Sequence, residues 1–140
     1  MTQKNKADNA SDVASDKALV TSIDHYSMIV DDTARSVAFY TGILGLTVDD
    51  SRPDLGYPGA WLNVGCNQIH LLEVPNPDPV RGRPEHGGRD RHLALQVSDL
   101  DKVIKRLEKA GIGYSKSKSG RAALFCRDPD ANAIELLEKS

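Results

Sequence analysis

The sequence predicts an α+β protein built from two βαβββ modules, and three observations carry that prediction. The stretch "QIHLLE" at 68–73 matches "AIELLE" at 133–138 at four of six positions, with His70 standing where the second copy has Glu135. "IDHYSMIVDD" (23–32) aligns with "DRHLALQVSD" (90–99) when His25 is laid on His92. The two alignments have offsets of 67 and 65 residues, close enough to imply one duplicated unit. Between the paired motifs, each half carries one helix-like pattern followed by three short strand-like runs.

The elements follow in order. "ALVTSIDHYSMIV" alternates or runs apolar, as a strand does, and Asp31-Asp32-Thr33 supply oxygens suited to capping a helix. "TARSVAFYTGILG" then places Val37, Tyr40 and Leu44 on one helical face. "LTVDD", "GAWLNVG" and "NQIHLLEV" are the next three strands, separated by Pro53, Gly56, Pro58 and Gly59, and then by Gly65 and Asn67. The second half repeats the plan. "RHLALQV" is a strand, Ser98-Asp99 a cap, and "LDKVIKRLEKAG" a helix with Val103, Ile104, Leu107 and Ala110 inward and Gly111 stopping it. "IGYSK", "RAALFCR" and "NAIELLE" complete it, the last two separated by Asp128-Pro129-Asp130. The modules are therefore expected at 19–74 and 90–138, within a domain running to residue 140. They are joined by a linker over 75–89 too rich in Pro and Gly for regular structure. Residues 1–18 hold one large aliphatic besides Met1, namely Val13, and are expected to form a flexible or weakly helical tail.

Composition bounds the function. The 140 residues are 39% hydrophobic and 27% charged with a net charge of −2, so no basic excess points to nucleic acid. No apolar run reaches the roughly 20 residues of a membrane span, and Lys4 and Lys6 are not followed by a signal-peptide core. Cys66 and Cys126 are too few for a disulfide scaffold and are expected as free thiols in the cytoplasm.

The motifs "DHYSMIVDD", "SVAFYTGILGL", "HLALQVSDLD" and "DPDANAIELLE", in this order and spacing, resemble the vicinal oxygen chelate superfamily. That superfamily contains glyoxalase I, extradiol dioxygenases, and fosfomycin and bleomycin resistance proteins. The resemblance covers residues 19–138 and implies curled mixed sheets around a metal-binding cleft. Ala131 stands where the family usually has Gly. Strand alternation puts His25 on one face with Ser27 and Ile29, and His92 with Ala94 and Gln96. Tyr26, Met28 and Val30, and likewise Leu93, Leu95 and Val97, should pack beneath the helices. On spacing alone each His also fits a structural, hydrogen-bonded role.

The resemblance implies that His25, His70, His92 and Glu135 converge on one divalent ion, Zn, Ni, Co, Mn or Fe(II). The expected function is a glyoxalase-like lyase or isomerase acting through a metal-stabilised enolate, with Glu135 moving the proton. The alternatives are an Fe(II)-dependent extradiol-type dioxygenase and a metal-free drug-binding resistance protein. Substrate contacts are expected from Arg81, Arg83 and Arg89 on the linker, together with Trp61 and Ile29, for a small anionic carbonyl or diol compound. Proteins of this size in the family are commonly homodimers in which one chain or two supply the halves of each site.

Overall fold

The computed structural model describes residues 18–139. The expected tail therefore lies, apart from its last residue, outside the described residues. The first module comprises β1 (His25–Ile29), α1 (Thr33–Gly42), β2 (Thr47–Asp49), β3 (Gly59–Val64) and β4 (Asn67–Leu72). The second comprises β5 (His92–Val97), α2 (Leu100–Lys109), β6 (Tyr114–Lys116), β7 (Ala123–Arg127) and β8 (Ala133–Glu138). The strand orders are β1-β4-β3-β2 and β5-β8-β7-β6, so each module forms a four-stranded mixed sheet. The first strand pairs parallel to the fourth, and the remaining pairs are antiparallel.

The helices start where the caps predict. Asp32 and Asp99 accept from Arg35 N and Lys102 N, satisfying first-turn donors that no helical carbonyl reaches. A second acceptor comes from the far end of each module: Glu73 Oε1 takes Thr33 N at 2.8 Å and Glu138 Oε1 takes Leu100 N at 3.0 Å. The duplication thus extends to the carboxylate that ties each last strand to its own helix. Both helices stop within one turn of a glycine of positive φ, Gly45 and Gly111.

Met28, Ile69 and Leu71 of the first sheet, Val30 just beyond β1, and Leu124, Cys126, Ile134 and Leu136 of the second sheet join one core with Tyr40 of α1 and Leu107 of α2. Leu93, Leu95 and Val97 pack against it as expected. Tyr26 does not, being 38% exposed, because β1 is an edge strand and α1 lies over β3 and β4. Ala110, expected inward, is exposed beyond the end of α2, whereas Phe39 is buried.

The loop 128–132 docks on α1. Asp130 accepts from Asp31 N at 2.9 Å, Arg35 Nη2 at 3.2 Å and Ser36 Oγ at 3.2 Å, while Tyr40 donates to Asp128 Oδ2 at 2.7 Å. Burial pushes the Asp128 carboxyl up, against the pull of the Tyr40 and Asn132 hydrogen bonds. Ala131 turns this loop with φ +64, the left-handed region that explains a glycine preference at this position.

The linker is mostly irregular, as its composition predicts, apart from one short 3-10 turn at Gly87–Arg89. It is not a loose flap. Arg83 holds Asp90 through both carboxylate oxygens, at 3.0 and 2.7 Å, and Arg127 adds a third contact at 2.8 Å. Gly87 lies so close to the second sheet that a Cβ there would sit 3.2 Å from Phe125 Cβ and 3.4 Å from Ala133 Cβ.

Candidate metal-binding half-sites

Because each sheet buries one face in the shared core, the opposite faces are turned away from it, and these carry the expected donors. In the first sheet Ser27 is the register partner of His70, and His25 lies two residues before Ser27. In the second sheet Ala94 is the register partner of Glu135, and His92 lies two residues before Ala94. The same diagonal therefore joins His25 to His70 and His92 to Glu135. Each last-strand donor also has an aromatic partner across the antiparallel pair, Trp61 for His70 and Phe125 for Glu135.

The second pair sets a ring nitrogen opposite a carboxylate. His92 Nδ1 donates to the Asp90 carbonyl at 2.9 Å, which leaves Nε2 as the free nitrogen. Nε2 faces Glu135 Oε1 at 3.3 Å. Two donors bound side by side to one divalent ion at about 2.0–2.2 Å each are separated by a similar distance. Glu135 is buried at 5% exposure, and its other oxygen takes Arg121 Nη2 at 3.2 Å. Arg121 is not among the expected site residues. It lies 14 positions from Glu135, in the turn before β7, and no local periodicity links the two.

The first pair is arranged differently. His25 Nδ1 bonds Asp24 Oδ2 at 2.7 Å, again leaving Nε2 free. His70 instead uses Nε2, which lies 2.9 Å from Gln68 Oε1. Gln68 donates its own amide to Asp49 at 2.8 Å and to Asn63 at 3.1 Å, so its oxygen must accept and His70 must donate. The His70 ring is stacked on His25, with centroids 3.9 Å apart and planes 19° apart, and on Trp61 at 4.6 Å and 10°. Burial, followed by the neighbouring His25, lowers the His70 imidazole below its usual pKa.

The four donors do not meet within one chain. Among the described residues no three His, Cys, Asp or Glu side chains form a group able to hold a metal ion. Within one chain the expected donors stand as two separate pairs, because the core that joins the modules lies behind both donor faces. Of the expected substrate contacts, Trp61 lies against His70, and Ile29 is half-buried at the end of β1. Arg81 and Arg89 are exposed, whereas Arg83 is committed to Asp90.

A family model described as the Glyoxalase/Bleomycin resistance protein/Dioxygenase superfamily matches residues 22–136. The chain belongs to this superfamily. Among individual relatives it is 32% identical over 123 residues to Glyoxylase I 4 of Arabidopsis thaliana, covering 84% of this chain and 70% of that protein. The superfamily fold extends to a glyoxalase family protein from Bacillus anthracis, with TM-score 0.71, 23% identity, and 86% of this chain and 97% of that one covered. It also matches the fosfomycin resistance protein FosX of Listeria monocytogenes, solved as a point mutant with Mn(II) and 1S,2S-dihydroxypropylphosphonic acid. There the TM-score is 0.67 and the identity 18%, with 87% of this chain and 95% of that one covered. No helix among the described residues is long and apolar enough to cross a membrane.

Proposed function

We propose that this superfamily member is a divalent-metal-dependent enzyme, a glyoxalase-like lyase or isomerase of a small substrate with neighbouring oxygens. The observation that carries the reading is the free Nε2 of His92 facing the buried Glu135 carboxylate at 3.3 Å, an arrangement that needs a cation or a proton between them. The donors fit a borderline ion such as Zn, Ni, Co, Mn or Fe(II): imidazole nitrogens with their second nitrogen already tied, plus one carboxylate. When bound, such an ion polarises a substrate oxygen and acidifies the adjoining C–H.

The chain's own residues supply the rest. Glu135 accepts and returns the proton, and burial by its neighbours keeps bulk water from competing for it. Arg121, with a side chain 60% exposed, neutralises the carboxylate at rest and can leave it at little cost for an anionic group of the substrate. Trp61 and Ile29 offer apolar wall on the facing half-site. Since the half-sites of one chain are turned apart, the site is completed in a homodimer, the first sheet of one protomer meeting the second sheet of its partner. Two open four-stranded sheets with unpaired edges suit that closure.

Elemental analysis of protein expressed without added metal tests the reading. About one divalent ion per chain is expected, and protein that neither carries nor takes up Zn, Ni, Co, Mn or Fe(II) would remove it. The Fe(II) dioxygenase remains the second reading, favoured by the availability of two imidazoles and one carboxylate as a complete donor set.

A further inference from the structure

We infer that Arg52 is a substrate-recognition residue, its guanidinium receiving an oxyanion, carboxylate or phosphate, that the substrate carries beyond its chelating oxygens. The inference rests on the metal-dependent reading above and adds the substrate's second end to it.

The loop 50–58 between β2 and β3 is built to hold one shape. Asp49 accepts from Ser51 N and Ser51 Oγ at 3.0 and 2.7 Å, and Asp54 accepts from Gly56 N at 2.9 Å. Gly56 turns the chain with φ +85. Arg52 is half-buried against this loop. It donates Nη2 to the Tyr57 carbonyl at 2.9 Å, and its Cζ lies 5.3 Å from the centre of the Tyr57 ring. Gly59 makes room for it: a Cβ there would run into the Leu71 carbonyl oxygen and stand 3.0 Å from Arg52 Nη2.

That placement sets a cation beside the donor face of the first sheet. Gly59 pairs with Leu72, and Leu72 with Ile29, one row on from the Trp61–His70 pair. Adjacent rows on one face are two residues apart, roughly 7 Å. The charge of Arg52 is felt at the His70 ring, where it acts after burial and His25 in lowering the imidazole pKa. The charge has no carboxylate of its own. Among the described residues Arg35, Arg83, Arg91, Arg121 and Arg127 each pair with an aspartate or glutamate, and Arg52 does not. The carboxylates of its own loop are engaged as above, Asp49 also by Gln68 at 2.8 Å. Of the guanidinium's N–H donors, Nη2 serves the loop, while Nε and Nη1 remain. A flat cation so held, with donors to spare, fits an oxyanion through paired hydrogen bonds. The spacing of one row suits a spacer of about two or three carbons between the chelating oxygens and the anion.

The test uses the full chain loaded with Co(II) and three hydroxamates, which chelate through adjoining oxygens and differ only in the tail: propyl, carboxyethyl or phosphonoethyl. Calorimetry on wild type is expected to show an anionic tail bound about tenfold more tightly than the propyl tail. The tighter of the two anionic tails identifies the group as carboxylate or phosphate. Arg52→Met should remove the preference while holding the propyl compound within about twofold of wild type, which also shows the variant to be folded. Arg52→Lys should keep part of the preference. Equal affinity for all three tails in wild type would overturn the inference. So would a preference that survives Arg52→Met, whether or not Arg121→Met abolishes it. Loss of the propyl compound together with the others in Arg52→Met would also overturn it, making Arg52 a prop of the loop. A metal-free measurement separates the inference from the reading beneath it. At constant ionic strength, inorganic phosphate should shift the Arg52 Nε–H resonance of wild type more than that of the exposed Arg81. A shift no greater than that of Arg81 would overturn the inference. Protein that takes up no Co(II) yet shows the Arg52 shift would overturn the metal-dependent reading and keep the oxyanion site.

Discussion

The Tyr40 hydroxyl donates to Asp128 Oδ2 at 2.7 Å, and both groups are buried. This bond joins the helix of the first module to the last hairpin of the second. Asp128 already pays for burial, its pKa raised by desolvation and restrained by its hydrogen bonds. Tyr40→Phe should therefore destabilise the fold by about 2 kcal/mol, the usual worth of a hydrogen bond to a charged acceptor. It should also raise the Asp128 pKa further, which carboxyl NMR titration would show. An unchanged Asp128 titration would count against the bond.

Ala131 is the one non-glycine residue of positive φ among the described residues. A left-handed Ala costs about 1–2 kcal/mol, partly offset on mutation by the greater freedom of Gly in the unfolded chain. Ala131→Gly is expected to stabilise by about 1 kcal/mol. Urea midpoints measure this, and a destabilised variant would show that the loop is relaxed with Ala in place.

Asp90 anchors the linker, and its bond with Arg83, more than any other contact, holds its carboxyl well below the ordinary value of 3.8. As pH falls the unfolded chain takes up this proton first. Stability from the clamp is thus present above pH 3.8 and lost progressively below it. Asp90→Asn should cost about 2 kcal/mol at neutral pH and flatten the dependence of unfolding free energy on pH below about 4. The same acid slope in both proteins would exclude the clamp as its source.

The half-sites predict complementation. A His25→Ala, His70→Ala chain and a His92→Ala, Glu135→Gln chain each lack one complete pair. Mixed after dissociation, they should regain metal in roughly a quarter of all sites if two protomers share each site. No recovery from a confirmed heterodimer would place each site within one chain.

Glu135→Gln keeps an oxygen that coordinates weakly but accepts no proton at neutral pH. Metal should be partly retained while turnover falls by roughly 10²–10⁴. A metal-loaded variant of near-normal rate would rule out Glu135 as the base.

Much of this molecule is readable from local pattern. The caps at Asp32 and Asp99, the helix stop at Gly111 and the opposite facing of His25 and Met28 depend on residues a few positions apart, where periods of 2 and 3.6 decide the outcome. The repeat even marks His70 and Glu135 as equivalent, because pairing each module's first strand with its last in the same register makes them so. Which groups meet across modules is another matter. Ser36 is polar yet fully buried because Asp130, 94 residues away, accepts its hydroxyl. Arg83 looks like a substrate contact until Asp90 claims it, and Arg121 has no motif at all. The separation of the donors into two faces follows from both helices sharing one core, and the stacking of His70 between Trp61 and His25 follows from three strands meeting side by side. Chemical identity and local geometry are properties of short segments. The direction in which a ring plane or a sheet face finally points is set by long-range packing, which no short segment encodes.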